Sequence, residues 1–79
     1  MESFSNSKLK SNLSIILYHF RIEYNLTRKA MASILSISLN ALTSIENGKS
    51  TPTLETLYKY ALNFDTTISK IIERAENYE

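Results

Sequence analysis

The sequence predicts an all-α fold of five short helices in a single domain, and three observations support this. Apolar residues recur at spacings of three and four within several segments, which is the pattern of helices with one buried face. Residues that favour helix ends separate these segments, including the chain's only glycine, Gly48, and its only proline, Pro52. The alternation of apolar and polar residues that is typical of strands is absent from the sequence.

The residues at the ends of the apolar segments set the expected helix bounds. Thr27, Ser38 and Thr53 each precede such a segment and can accept a hydrogen bond from its first turn. We expect Asp65 or Thr66 to begin the last helix. Residues 1–7 are polar, so we expect a disordered or frayed N-terminus before one domain at 8–79. The five helices are expected over residues 9–24, 28–35, 39–47, 54–63 and 67–76.

The expected inward faces follow from the same spacing. Small Ala32 in the second helix would let another helix cross closely. Asn25 and the Asn47–Gly48 pair can adopt the left-handed conformation that ends a helix. The inward face of the fourth helix is expected to comprise Leu54, Leu57, Tyr58, Ala61 and Leu62.

Composition and charge limit the classes of function that are expected for the protein. The chain has 79 residues and no cysteine, so we expect one small core without disulfides or cysteine-bound metal. The N-terminus lacks the order of a secretory signal, and no apolar run approaches a membrane span, so we expect a cytoplasmic protein. Residues 1–53 hold six Lys and Arg against three Glu, whereas residues 54–79 hold three against five acidic residues. The basic half could meet a polyanion, or both halves could be solvated surface.

The second and third helices, joined by a three-residue turn, predict a helix-turn-helix unit. If Ile37, Leu42 and Ile45 anchor the third helix, its outward face carries short polar side chains. Such a slim helix can enter the major groove of DNA, which is roughly 12 Å wide. The alternative is an ordinary solvated helix face. The outward residues would be Leu39, Asn40, Thr43, Ser44 and Asn47.

Four stretches carry a family resemblance. They are "FRIEYNLT", "TRKAMASIL", "SLNALTSIENGK" and "TPTLETLYKYALNFDTTISKII", with Ile45–Glu46 and Gly48 forming an I-E-x-G motif. From Leu13 to about Ile72, about three quarters of the chain, the sequence resembles the helix-turn-helix family of Cro and phage repressors, also called the xenobiotic-response-element family. The resemblance implies a five-helix, lambda-repressor-like DNA-binding domain.

The resemblance also implies roles for individual residues. Arg21 at the end of the first helix would pair with Glu46 at the end of the third, and an arginine can hold a carboxylate by two hydrogen bonds. The base contacts would come from Leu39, Asn40, Thr43 and Ser44. The phosphate contacts would come from Thr27, Arg28, Ser38, Asn47 and Lys49, aided by open backbone amides in the "NGKS" loop.

Two features depart from the family pattern. Ser36 stands where many members have glycine, and a left-handed serine costs about 1 kcal/mol relative to glycine. We therefore expect a turn of different geometry. The recognition helix also contains no arginine, lysine or glutamine, so strong guanine-directed binding is not expected.

One subunit offers few contacts, so we expect a homodimer that reads a palindrome with half-sites about 34 Å apart. More apolar residues occur near the junction of the fourth and fifth helices than one small core can enclose. The alternative is that all of these residues belong to the core. The expected interface residues are Tyr60, Leu62, Phe64, Thr66, Ile68 and Ile72.

These features predict an autoregulatory transcriptional regulator similar in size to restriction–modification controller proteins. Small phage Cro-like repressors and antitoxins that also bind a protein partner are the alternatives. We do not expect an enzyme, because His19, the only histidine, has no clustered carboxylate or cysteine near it in the sequence. No metal, cofactor, small-molecule ligand or membrane contact is expected; the expected partners are double-stranded DNA and a second copy of the chain.

Overall fold

The computed structural model describes residues 6–78, which form five α-helices. The helix α1 begins earlier than expected because its N-terminal half is held against the C-terminal helix. The Asn12 side-chain amide donates to the carbonyl oxygens of Ala75 at 2.9 Å and Tyr78 at 3.1 Å. The disordered or frayed N-terminus was predicted over residues 1–7; the structure includes residues 6 and 7 in the first helix, and residues 1–5 lie outside the described part. The helices are α1 (Asn6–Glu23), α2 (Arg28–Leu35), α3 (Leu39–Glu46), α4 (Leu54–Asn63) and α5 (Ile68–Asn77).

Side-chain hydroxyls cap the starts of α2 to α5. Thr27, Ser38 and Thr53 accept hydrogen bonds from the amides three residues later, as expected. The expectation that Asp65 or Thr66 begins the last helix is wrong. Thr67 caps α5 instead, by accepting from the amide of Lys70.

A residue in the left-handed conformation follows each of the helices α1 to α4. These residues are Asn25, Ser36, Gly48 and Asp65, with φ angles of 56°, 56°, 77° and 54°. In each case the next amide donates back to a carbonyl in the last helical turn, as Ile37 does to Ala32 at 3.0 Å. The expectation of a different turn at Ser36 is thus wrong, since serine adopts the conformation that glycine would take there.

The core lies where α1 meets the other helices. The helix α1 packs against α3 and α5, while α2 packs against α3 and α4. Phe20, Tyr60 and Phe64 form an aromatic cluster with ring centroids 5.8–6.3 Å apart. The buried apolar residues are Leu13, Ile16, Leu17, Phe20, Met31, Ala32, Leu35, Leu42, Ile45, Leu57, Tyr60, Ala61, Phe64, Ile71 and Ala75.

The inward face of α4 differs from the expected one. Leu57 and Ala61 are buried, but Leu54, Tyr58 and Leu62 are 70%, 54% and 63% exposed. The helix is rotated because two large aromatic side chains, Tyr60 and Phe64, pack against Phe20. A second apolar face of α4 is left in solvent. The residues of α4 and its C-cap that lie in the interior are Thr56, Leu57, Tyr60, Ala61 and Phe64.

Candidate nucleic-acid interface

The helix α3 is anchored by one face and presents the other to solvent. Leu42 and Ile45 are buried in the core, and Ile37, which lies just before the helix, packs against the same core. The four residues expected to contact bases all lie on the outward side of α3. Leu39 and Asn40 are exposed, and Thr43 and Ser44 are half-buried. The outward face is therefore accessible to a partner along most of the helix.

An ion pair joins α1 to the end of α3. The Arg21 Nε donates to both carboxylate oxygens of Glu46, at 3.1 and 2.9 Å, and the Arg21 Nη1 donates to the Leu26 carbonyl at 3.0 Å. The two side chains are only 11% and 1% exposed. The carboxylate is thus held by two hydrogen bonds, which share one N–H donor. The pair fixes the orientation of α3 relative to α1.

Two further residues at Glu46 were not expected from the sequence. The Arg28 Nε approaches Glu46 Oε1 at 3.3 Å, while its side chain stays 43% exposed. The Tyr60 hydroxyl is buried and finds no hydrogen-bond partner among residues 6–78. Burial, and then the negative charge of Glu46, raise the pKa of Tyr60 above its usual value. Only the folded arrangement of four helices brings these groups together, so sequence spacing carries no signal for them.

The residues expected to contact phosphate stand at the ends of α2 and α3. Thr27 and Ser38 are exposed, and their hydroxyls accept from Ala30 and Ala41 at 3.0 Å. Asn47 and Lys49 are exposed beyond the other end of α3. The expected residues therefore border the outward face of α3 at both of its ends.

The expectation of open amides in the "NGKS" loop is wrong. The amide of Asn47 donates to Thr43, and that of Gly48 donates to Ile45. The amides of Lys49 and Ser50 both donate to the Ser44 carbonyl, at 2.9 and 3.3 Å. The loop closes the end of α3, so an anion there would meet side chains rather than these amides.

The expected dimer residues divide into two groups. Leu62 is exposed and Thr66, Ile68 and Ile72 are half-buried. Tyr60 and Phe64 are 0% and 8% exposed, so their expected place at an interface is wrong. Both residues are needed to complete the aromatic cluster with Phe20.

The described residues contain neither a membrane-spanning helix nor a cluster of metal ligands. Between residues 6 and 78, no helix combines the length and apolar character needed to cross a membrane. Within the same residues, no group of three or more His, Asp or Glu side chains is arranged to hold a metal ion. His19 lies against Tyr78, with the ring centroids 6.2 Å apart.

Comparisons with known proteins agree with this architecture. The crystal structure of the clp gene regulator ClgR from Corynebacterium glutamicum is similar, with a TM-score of 0.77 and 20% identity, over 86% of this chain and 72% of that chain. At this identity the likeness concerns the fold. No curated protein matches the sequence. A family model described as a helix-turn-helix domain matches residues 15–76. The chain therefore belongs to this helix-turn-helix family.

Proposed function

We propose that the chain is a sequence-specific transcriptional regulator that binds DNA as a homodimer on a palindromic operator. Membership of a helix-turn-helix family supports DNA binding and a role in transcription, and members of this family are not enzymes. The observation that carries the proposal is the outward face of α3, where Leu39 and Asn40 are exposed while Leu42 and Ile45 hold the helix to the core.

In the proposed mechanism, α3 enters the major groove and reads base edges. The side-chain amide of Asn40 can donate one hydrogen bond to the edge of adenine and accept another from it. The Ser44 and Thr43 hydroxyls bond to several bases and discriminate less, and Leu39 packs on a thymine methyl group. These contacts are few and are made by short side chains. The position of the protein along the duplex therefore depends on groups at the ends of α2 and α3.

Phosphate contacts are proposed for the five residues that border α3. The ammonium of Lys49 and the outer nitrogens of Arg28 supply positive charge, and the capped N-termini of α2 and α3 supply partial positive charge. The Nε of Arg28 lies at 3.3 Å from Glu46, which would hold the guanidinium in one place. The proposed contacts are Thr27, Arg28, Ser38, Asn47 and Lys49.

The proposed biological role is that of an autoregulatory, controller-like protein in the cytoplasm. A small phage Cro-like repressor and an antitoxin-type regulator are the rival roles. The antitoxin reading has one specific observation in its favour, because Leu39 is a 47% exposed apolar residue at the start of α3 and suits a protein partner. A toxin gene next to this one would favour the antitoxin reading, whereas neighbouring methyltransferase and endonuclease genes would favour the controller.

Selection of bound duplexes from a random pool at one fixed salt concentration tests the proposal. We expect enrichment of a palindrome whose half-sites lie about one helical turn, or 34 Å, apart. The salt concentration must be fixed because phosphate contacts make affinity strongly salt-dependent. A bound fraction with the base composition of the starting pool would contradict sequence-specific binding.

A further inference from the structure

The helix α4 has two apolar faces, and one of them has no partner within residues 6–78. Leu54, Tyr58 and Leu62 are 70%, 54% and 63% exposed. Their spacing of four residues places them in one row along the helix, about 12 Å long. We call this row the α4 ridge. Single exposed apolar residues are ordinary, but three in a row on one helix indicate a contact surface.

We propose that a second copy of the chain covers the α4 ridge, with the two α4 helices antiparallel across a twofold axis at Tyr58. The inference rests on the proposed homodimer and locates its contact. It replaces Tyr60 and Phe64, which are buried, with Leu54 and Tyr58, and it retains Leu62.

The order of residues in the ridge identifies a second copy as the occupant. A contact across a twofold axis requires a surface that complements itself, so that residue i meets residue j and j meets i. The ridge reads Leu, Tyr, Leu in both directions from Tyr58. Antiparallel pairing therefore places Leu54 against Leu62 of the partner subunit and brings the two tyrosine rings together at the axis.

The charges beside the ridge are compatible with this pairing. Glu55 and Lys59 form an ion pair at 3.7 Å along one flank of the ridge. Antiparallel pairing brings Glu55 to within about 3 Å, measured along the helix axis, of the level of the partner's Lys59. Opposite charges thus meet on that flank, where the two Lys59 residues also come within about 3 Å of the same level. An interface of standard size buries roughly 800 Å² per partner, so the ridge would be its apolar centre.

Sedimentation equilibrium of Leu62→Lys tests the contact, with Asn63→Lys as the matched control. Both residues are exposed neighbours in α4, but Asn63 points away from the ridge. We expect wild type and Asn63→Lys to be dimers at about 100 µM and Leu62→Lys to dissociate at least about tenfold more readily. Circular dichroism checks that both variants keep their helices. A monomeric wild type at that concentration, or a Leu62→Lys protein as dimeric as wild type, would overturn the proposal.

Cross-linking gives a second measurement that does not depend on a destabilised variant. The chain contains no cysteine, so a single cysteine reports on one position. We expect Tyr58→Cys to form a disulfide-linked dimer under mild oxidation, because the two sulfur atoms would lie near the axis. Asn63→Cys should cross-link much more slowly. Equal rates for the two variants would refute an axis at Tyr58.

The outcome for DNA binding separates this inference from the proposed function. If only the contact is misplaced, wild type selects a palindrome and Leu62→Lys binds the selected duplex as tightly as wild type does. If the proposed function is wrong, wild type dimerises through the ridge but selects no duplex. If both hold, Leu62→Lys binds the palindrome more weakly while its affinity for a single half-site stays that of one wild-type subunit.

Discussion

Replacing Arg21 by alanine is expected to destabilise the protein strongly, because Glu46 would then be a buried carboxylate whose one remaining partner, Arg28, is exposed. Glu46 loses bonds at 3.1 and 2.9 Å, and the Leu26 carbonyl loses a donor at 3.0 Å. Arg28 remains within 3.3 Å of the carboxylate. Its side chain is 43% exposed, so solvent weakens that compensation.

The expected magnitude follows from burial. Removing one partner of a buried ion pair costs roughly 3–5 kcal/mol, and the remaining Arg28 contact favours the lower end, about 3 kcal/mol. In a domain of this size each kcal/mol lowers Tm by roughly 4–8 °C, so the melting temperature should fall by roughly 12–24 °C. A loss of that size is a large fraction of the 5–15 kcal/mol that stabilises a typical small domain, about 20% or more of it.

Urea denaturation followed by circular dichroism measures the change, provided that the slope with denaturant is the same for each variant. Arg28→Ala is the matched control, since it removes the other cation at Glu46 from an exposed position and should cost less than about 1 kcal/mol. An Arg21→Ala protein that melts within about one degree of wild type, or that is no less stable than Arg28→Ala, would refute the structural role of the pair.

Three further predictions concern single side chains. Ser36→Gly should raise the free energy of unfolding by about 1 kcal/mol, measured in urea, because the residue is left-handed with φ of 56°; an unchanged or lower value would contradict this. Tyr60→Phe should stabilise by about 1 kcal/mol, since the buried hydroxyl has no partner among residues 6–78. Because burial raises the pKa of Tyr60, the folded state keeps a proton that the unfolded state loses, so wild-type stability should fall above about pH 10. The loss of stability above about pH 10 should be smaller in Tyr60→Phe. Equal dependence of stability on pH in the two proteins would contradict the burial of the Tyr60 hydroxyl. Lys49→Ala should weaken binding to all duplexes alike and lower the salt slope by about one; a change confined to one base pair would contradict a phosphate contact.

Local chemistry explains which parts of the fold were predictable. Thr27, Ser38 and Thr53 cap helices through bonds that span three residues, so their effect can be derived from the sequence beside them. The left-handed ends are equally local. At Ser36 the local rule disfavoured a conformation that the structure adopts, because closing the turn through the Ile37 amide outweighs a strain of about 1 kcal/mol.

In the helix α4, the periodicity of apolar residues does not decide which face is buried. Its apolar residues satisfy a spacing of three and four on two faces, and the spacing predicts an inward face of Leu54, Leu57, Tyr58, Ala61 and Leu62. The structure buries Leu57 and Ala61 as predicted. It buries Tyr60 and Phe64 in place of the other three, because these aromatic side chains pack against Phe20 of another helix. A stripe defines a face only when the opposite side is polar. The exposed face of α4 is therefore a property of the packed molecule.

The candidate site was predictable in part for the same reason. The outward residues of α3 follow from its buried Leu42 and Ile45, which are close in sequence. The approach of Arg28 to Glu46 and the burial of the Tyr60 hydroxyl depend on α2 and α4 meeting the end of α3. Contacts between segments that are distant in the sequence cannot be predicted from the spacing of residues within one segment.

If α3 reads base edges through Asn40, duplex selection with two matched variants will reveal the base pair that Asn40 contacts. Asn40→Ala and Asn63→Ala both remove an exposed helical asparagine, one from α3 and one from α4. We predict that Asn63→Ala selects the same palindrome as wild type. Asn40→Ala should lose preference at one base pair of each half-site, at a cost of about 1–3 kcal/mol. Identical selected sequences for wild type and both variants would show that Asn40 reads no base.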